Sequence, residues 1–597
     1  MFDFRPTHSC GSLTKSNLGS KVTLSGWVHR WRDHGNLIFI DLRDRYGLTQ
    51  LVFDPQKNSR LHEMANHTRA EWVISVQGTV IARAEGMANP KLATGEIEVD
   101  VAAMEVLSEA KTPPFSINDE NLTVKEDLRL QYRYLDIRRG KIAERLQIRH
   151  KAQLAARNYL DNLNFLEIQT PILALCTPET GAKDYVVPSR IHPGKFFALP
   201  QSPQIYKQLL MISGMDRYFQ VAPCFRDEDL RADRQPEFTQ IDIEMSFGTP
   251  EEILSISEGL VQSVFKKCLD IDIATPFPRM TFADAILKYG TDKPDTRFGM
   301  ELSVLDDIAA KASFSVFHEQ LKNGGTVKGF CVKGGQDISR KQIDSYTDFV
   351  GRFGIKGLAW MKMQPEGLSS NIVKFFSPDL LDELTRRLGV QTGDLIFMIS
   401  DQPNRANQGL DHLRRQIAKD RNLVSKDQYN FLWVIDFPLF HWNEEERKME
   451  SEHHPFTSPH FEDLHLLETD PMKVRSMGYD LVLNGYEIAG GSQRIHNNLL
   501  QRKIFEMLDL TPDELERKFG FFIEALQYGT PPHLGIAFGL DRVLMLLAKT
   551  DNIRDVIAFP KTQKASDLMA ASPSIVTEEQ LRELHIRLDN PEIIKKT

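Results

Sequence analysis

The sequence predicts a multidomain α+β protein: an N-terminal β-barrel, an antiparallel-sheet domain with helices, and an α/β module inserted into that second domain. Three observations predict it. At 597 residues the chain is too long for one hydrophobic core, so three or four domains are expected. Its first hundred residues alternate apolar and polar side chains with the period of strands. Beyond them, strand and helix patterns mix without regular βαβ alternation, which favours an antiparallel sheet.

The barrel comes first. Apolar positions alternate in Val22-Leu24, Ile38-Ile40-Leu42, Leu51-Phe53, Ile74-Val76 and Ile97-Val99-Val101, punctuated by Gly26, Gly47, Gly78 and Gly95. A short helical stretch near Leu61 and Met64 separates the third strand from the fourth. Five strands with one such helix suggest an OB-type barrel, a fold that often binds oligonucleotides; a generic small barrel fits the pattern equally. Lys111-Thr112-Pro113-Pro114 cannot easily continue a strand or helix and reads as a linker. From Lys125 to Arg157, ten Lys/Arg stand against four Asp/Glu. Ile142, Leu146, Ala156, Leu160 and Leu163 fall at helical spacing, so a long amphipathic helix is expected, followed by the strand Phe165–Ile168. The charge run is either a solvated face or a surface for phosphate backbone or another subunit. Residues from Phe282 to about Asp411 break from the surrounding chemistry and read as the inserted module.

Composition narrows the class. Apolar residues at 41% and charged residues at 26% suit a globular protein, and no stretch approaches the roughly 20 apolar residues of a membrane span. The first ten residues carry Asp3 and Arg5 and no apolar core, so no secretory signal is read. Cys10, Cys176, Cys224, Cys268 and Cys331 are scattered without a CxxC pair. That argues against a zinc ribbon or a disulfide framework and fits a reducing, cytoplasmic setting. A net charge of -9 does not suit an indiscriminate nucleic-acid binder, so such contacts must come from local basic patches and shape.

Four clusters carry chemistry. In the first, Arg226, Asp227 and Glu228 are followed by Arg231, Arg234, Gln235, Glu237 and Phe238. Guanidinium forks grip phosphate or carboxylate oxygens at two points, although a surface loop of ion pairs looks the same. In the second, Gly535 and Gly539 precede Leu540-Asp541-Arg542 and an apolar helix. That is either a backbone approach to phosphate or a tightly packed turn. In the third, Asp480 and Glu487 stand seven apart. On a continuous helix or across a β-turn they could share Mg²⁺; alone they would be two solvated acids. The fourth is Gln201 to Lys207, with His453-His454 further on. Adjacent histidines on a strand point opposite ways, so at most one should line a pocket.

Together these clusters resemble the signature motifs of class II aminoacyl-tRNA synthetases, and most specifically those of the bacterial aspartyl enzymes. Phe225 to Asp242 is similar to that family's second motif, Gly535 to Arg542 to its third, and the basic helix ending near Thr170-Pro171 to its first. The resemblance spans essentially the whole chain, with a non-catalytic paralogue disfavoured because Arg226, Glu487 and Arg542 are all present. It implies an anticodon-binding OB-fold over 1–108, a linker over 109–127, catalytic segments over 128–281 and 416–560, an inserted GAD domain over 282–415 and a partly helical C-terminal extension over 561–597.

The resemblance also implies roles. Arg226, Glu487 and Arg542 would be catalytic, with Arg226 bridging the aspartate α-carboxylate and the ATP α-phosphate. ATP would contact Arg226, Asp227, Glu228, Gln235, Phe238, Glu487, Gly539, Leu540, Asp541 and Arg542, with Phe238 stacking on adenine. Asp480 and Glu487 would hold Mg²⁺; no zinc, haem or flavin is implied. Lys207 and Arg494 would meet the substrate's side-chain carboxylate, and Glu179, Gln204, Asp242 and His453 would surround the amino acid. Aspartate is already ionised at neutral pH, so catalysis would be alignment and charge stabilisation rather than general-base work. A lysyl enzyme would need acids at Lys207 and Arg494, and an asparaginyl enzyme lacks the large insertion.

On the barrel, Phe39 and Gln50 resemble residues that touch the anticodon, the former by stacking, and Arg32 would favour nearby phosphates. Members restricted to tRNA(Asp) carry leucine and lysine at two positions that here are His34 and Gly86. The present pair resembles relaxed members that also charge tRNA(Asn), whose product a partner amidotransferase converts. Strict tRNA(Asp) specificity remains the alternative. The partners implied are L-aspartate, tRNA(Asp), tRNA(Asn) and a second copy of the chain in a homodimer, with no membrane.

Overall fold

The computed structural model describes residues 3–119, 123–175 and 183–589. The chain divides into two compact units, one of residues 1–148 with 554–575, the other of 149–553 with 576–597.

In the first unit, strands Lys21–His34, Leu37–Arg43, Leu48–Phe53, Val73–Ala82 and Ile97–Ser108 close into a barrel in the order first, second, third, fifth, fourth. The alternating residues named above, from Val22 to Val101, all point into its core. The one helix, Ser59–His67, is capped by the Asn58 side chain and closes the barrel with Leu61 and Ala65. After the barrel, Arg133 is almost fully buried (2% exposed). Its guanidinium donates to the backbone carbonyls of Arg554, Ile557 and Ala558 and pairs with Asp136 at 2.6 Å.

The long helix expected over Ile142 to Leu163 is Gly140–Asn162, and two short helices, Glu126–Gln131 and Arg133–Asp136, precede it in the basic stretch. The strand after them is shorter than expected, Leu166–Glu167. In the second unit, eight strands form one sheet, ordered Arg279–Thr281, Phe431–Ile435, Gly478–Leu483, Tyr486–Gln493, His533–Gly539, Glu237–Ser246, Arg217–Phe225 and Leu166–Glu167. Its pairings are antiparallel except at the two edges.

The inserted module has its own five-stranded antiparallel sheet, running from Ser303–Val304 to Leu395–Asp401 in sequence. Both of its faces are covered. Phe397 and Ile399 pack with helices Arg340–Gly351 and Pro403–Asp420 on one face, Ile396 and Met398 with Ile308, Phe317 and Leu384 on the other. The boundary expected at 415 falls inside the continuous helix Pro403–Asp420, because its apolar stripe Leu410, Leu413, Ile417 belongs to the insert's core. In the described C-terminal extension the one helix is Glu578–Glu583.

Candidate active site

The middle strands of the large sheet carry a cleft that is open to solvent. Arg226, Glu228, Gln235, Phe238, Glu487 and Arg542 line it. Strands Arg217–Phe225 and Glu237–Ser246 set Arg226 opposite Pro236, with the backbone N–H of Arg226 donating to the Pro236 carbonyl at 2.9 Å. The Arg226 guanidinium lies over the Phe238 ring, 5.1 Å from its centroid. Arg542 occupies the first turn of helix Leu540–Leu547, donates to the backbone carbonyl of Glu487 and stands 3.4 Å from Asp233.

Three of the expected nucleotide contacts look different here. Asp541 lines the cleft, but its carboxylate is taken up by Arg149 and by the Thr239 N–H at 2.7 Å, so it also pins the helix to the sheet. The Leu540 side chain is 1% exposed and packs in the core. Asp227 bridges backbone to Lys183 and does not line the cleft.

Asp480 and Glu487 sit on the two arms of a hairpin turned by Asn484-Gly485. The β-turn arrangement therefore holds and the helical one does not. Strict alternation would put Glu487 on the face opposite Gly490. A bulge between the Leu481 and Val482 pairings leaves Ile488 unopposed and turns Glu487 to the other face. A Cβ on Gly490 would stand 2.9 Å from Asp480 Oδ1 and 3.6 Å from Glu487 Oε1, so both carboxylates converge over that glycine. Two converging carboxylates suit Mg²⁺, which completes its shell with water and phosphate oxygens.

Burial, with the Glu487 charge, pushes Asp480 up to about 6 against the pull of His453, which lies 3.1 Å away. Burial raises Glu487 too, but Arg542, Lys293, His453 and Arg226 outweigh it and hold that carboxyl low. For Asp480 the sign is clear. A raised carboxyl favours the fold below its ordinary range near 3.8, and that contribution is lost as pH rises through about 6. A cation that needs the carboxylate competes with this proton. Any melting-temperature rise produced by a divalent cation at this pair is therefore expected to be full at pH 7.5 and to shrink below about pH 6. A rise that stays constant between pH 5 and pH 8 in differential scanning fluorimetry would contradict this.

Beyond the cleft on strand Glu237–Ser246 lies a buried ionic cluster. Lys207 Nζ is 3.0 Å from Asp242 and 3.4 Å from Glu244. Arg494 donates through Nε and Nη2 to the two Glu244 oxygens at 2.9 and 3.1 Å, and through Nη1 to Ser492 Oγ and His454 Nε2 at 2.6 and 2.7 Å. Both cations are 1% exposed and both carboxylates 0%. A guanidinium has five N–H groups and an ammonium three, so each cation keeps a hydrogen for a further acceptor. Burial, reinforced by Arg494, drives His454 well below its ordinary range, so it accepts from Arg494 as a neutral ring. Burial works against charge on His453, but Asp480 lifts it overall.

Glu244, His454 and Ser492 were not anticipated from sequence, and both histidines, not one, line the site. They follow the strand Lys448–Ser451 in an irregular, bent segment rather than lying on a strand, so neighbouring side chains need not diverge. The signal for Glu244 was available: Gln240, Asp242 and Glu244 share one face of a strand. Opposite it, Gly535 must lack a side chain, since a Cβ there would lie 1.9 Å from Glu244 Oε2.

Several buried polar atoms around the cleft and the ionic cluster have no hydrogen-bond partner among the described residues. They include Gln204 Nε2, Arg226 Nε, Asp242 Oδ2, His453 Nδ1 and Arg542 Nε. An unsatisfied buried polar atom costs about 1–3 kcal/mol, and a polar ligand recovers it. Glu179 lies outside the described residues.

On the barrel, Phe39 is half-buried and opposite Arg32 in register, outside the core. Arg32 is less free for phosphates than expected: it donates to Asp41 at 2.7 Å and to Gln50 at 3.1 Å, while Gln50 donates to Glu98 at 2.7 Å. His34 is exposed at the end of the first strand, and Gly86 is an exposed turn residue with φ of +78°.

A barrel of the oligonucleotide-binding type followed by an antiparallel sheet with a phosphate-ready cleft defines the architecture of a tRNA-charging enzyme. A family model described as tRNA synthetases class II (D, K and N) matches residues 125–563, and the chain belongs to that family. A model for an OB-fold nucleic acid binding domain matches residues 22–107. Within the family, the chain is 66% identical over 98% of both lengths to an aspartate–tRNA(Asp/Asn) ligase of Protochlamydia amoebophila. It is 57% identical to the protein of the same name from Chlamydia caviae, over 98% of this chain and 99% of that one. Among solved structures, an asparaginyl-tRNA synthetase of Pyrococcus horikoshii bound to asparaginyl-adenylate shares the fold, with TM-score 0.59, 20% identity and coverage of 93% of this chain and 98% of that one. Among the described residues no helix is long and apolar enough to cross a membrane.

Proposed function

We propose that the chain attaches L-aspartate to tRNA(Asp) and to tRNA(Asn) through an aspartyl-adenylate formed from ATP. The observation that carries the substrate is the Lys207–Asp242–Glu244–Arg494 cluster, whose spare N–H groups suit a side-chain carboxylate. The orphan Asp242 Oδ2 accepts the substrate ammonium, and Arg226 spans the α-carboxylate and the α-phosphate. Asparagine would leave the two cations short of an anion, a mismatch that can discriminate by orders of magnitude. Asp480 and Glu487 would hold Mg²⁺, which when bound offsets the phosphate charge. Two copies of the chain pair through the first-motif region, a reading supported by the exposed apolar side chains Leu154, Leu166, Ile172, Leu173 and Phe196 there. A tRNA-dependent amidotransferase would take the aspartyl-tRNA(Asn).

The test is ATP–pyrophosphate exchange dependent on aspartate and not on asparagine or lysine, followed by aspartylation of each purified tRNA. No exchange with aspartate refutes the reading; charging of tRNA(Asp) alone refutes its second half. Replacing His34 by leucine together with Gly86 by lysine is expected to lower aspartylation of tRNA(Asn) about tenfold, the worth of one good base-reading contact, with tRNA(Asp) nearly unchanged. Lysine at the left-handed Gly86 position adds about 1–2 kcal/mol of local strain. Equal loss on both tRNAs would show that these positions do not discriminate.

A further inference from the structure

The loop Thr291–Met300, between the helix Phe282–Tyr289 and the insert's first strand, is held at several backbone points by two arginines of the insert's helix Pro403–Asp420. Arg414 is fully buried and donates to the carbonyls of Asp295 and Gly299 at 3.0 and 3.1 Å. Arg415 donates to the carbonyl of Lys293 at 2.9 Å and to that of Gly485 at 3.3 Å, and is oriented by Asp411 at 3.0 Å. Gly485 is the turn of the hairpin that carries Asp480 and Glu487, and a Cβ there would meet the Asp295 side chain at 3.1 Å. The loop thus packs on the turn two residues from Glu487. The Lys293 side chain is 42% exposed, and among the described residues its one ion pair is with the adjacent Asp292, at 3.4 Å. Its charge acts on Glu487 and that of Asp292 on Asp480.

We propose that Lys293 is a further polyphosphate-binding residue, placing its ammonium on the outer phosphates of the nucleotide beside Glu487, and that Arg415 is the positioning residue that delivers it there. This rests on the nucleotide-activating reading above. A lysine serves such a role as a compact point charge on phosphate oxygens. The loop's attachment to the insert means that a helix outside the catalytic sheet fixes part of the phosphate site.

The test uses the full-length protein and measures ATP–pyrophosphate exchange, with binding of ATP plus Mg²⁺ followed separately by calorimetry. Lys293→Ala is expected to raise KM for ATP and for pyrophosphate about tenfold or more, with KM for aspartate within about twofold; Lys293→Arg recovers most of the loss. Arg415→Ala raises KM for ATP in the same direction, Arg415→Lys recovers part of it, and the double alanine variant falls short of the product of the single effects. Unchanged ATP affinity in Lys293→Ala overturns the proposal, as does an equal rise for aspartate. If the wild-type protein binds ATP but shows no aspartate-dependent exchange, the function reading fails while calorimetry still decides Lys293.

Discussion

Replacing Arg494 by leucine is expected to abolish activation of aspartate while ATP still binds. The loss in kcat/KM for aspartate should reach about a thousandfold or more, because a site built to bind a polar group rejects a mismatch far more strongly than an apolar pocket does. Arg494 uses Nε and Nη2 to hold Glu244 and Nη1 to hold Ser492 and His454, so its removal strips the pocket of a substrate donor and of its internal scaffold. Glu244, fully buried, would keep one ion-pair partner among the described residues, Lys207 at 3.4 Å. Breaking a buried pair from one side costs about 3–5 kcal/mol, so the melting temperature should fall with activity. Arg494→Leu combined with Glu244→Gln separates the two effects. The double variant should regain much of the stability and none of the activity. Recovery of aspartate-dependent exchange in that variant would show that Arg494 serves the fold rather than the substrate.

Arg226→Ala should behave differently. Exchange is expected to fall by about 10²–10³ in kcat, the usual effect of removing one preorganised donor from a developing charge. Stability should barely move. The Arg226 side chain lies over the Phe238 ring, 5.1 Å from its centroid, and its Nε has no hydrogen-bond partner among the described residues. A stacked cation at a partly open site contributes about 0.5–1 kcal/mol. Circular-dichroism melts alongside exchange kinetics check this: a large drop in melting temperature would mark Arg226 as structural, and an unchanged kcat would remove it from the reaction.

The contrast between these two arginines shows what can be read from a sequence. The barrel was legible because Val22, Leu24, Ile38, Ile40 and their successors alternate with the pleat, and all of them reach one core. Arg226 and Arg542 were legible because short glycine-rich or charge-dense runs surround them. The orientation of Glu487 was not, because it depends on a bulge at Ile488 that no residue type announces. Glu244 was passed over because its partner, Arg494, is 250 residues away, and a strand carboxylate reads as solvated until that partner is found. The pair His453-His454 misled for a related reason: the opposite-faces rule holds for strands, and those residues are in an irregular, bent segment. The insert's far boundary was misplaced because Arg414 and Arg415 look like a polar helix end, whereas Arg414 is buried between the loop carbonyls and the rings of Tyr289 and Phe298.

Arg133 carries a consequence for the order of events during synthesis. Its guanidinium is sealed against carbonyls of residues 554, 557 and 558, the first of them 421 positions downstream. The barrel can close on its own apolar contacts as soon as Ser108 has left the ribosome. The helical part of the same unit cannot: until the distant segment arrives, a buried cation there has Asp136 but none of its three carbonyl acceptors. The unit begun first therefore waits for residues 554–575 before it is complete, and a nascent chain stalled before Arg554 should display a finished barrel beside a protease-sensitive stretch around residues 126–148.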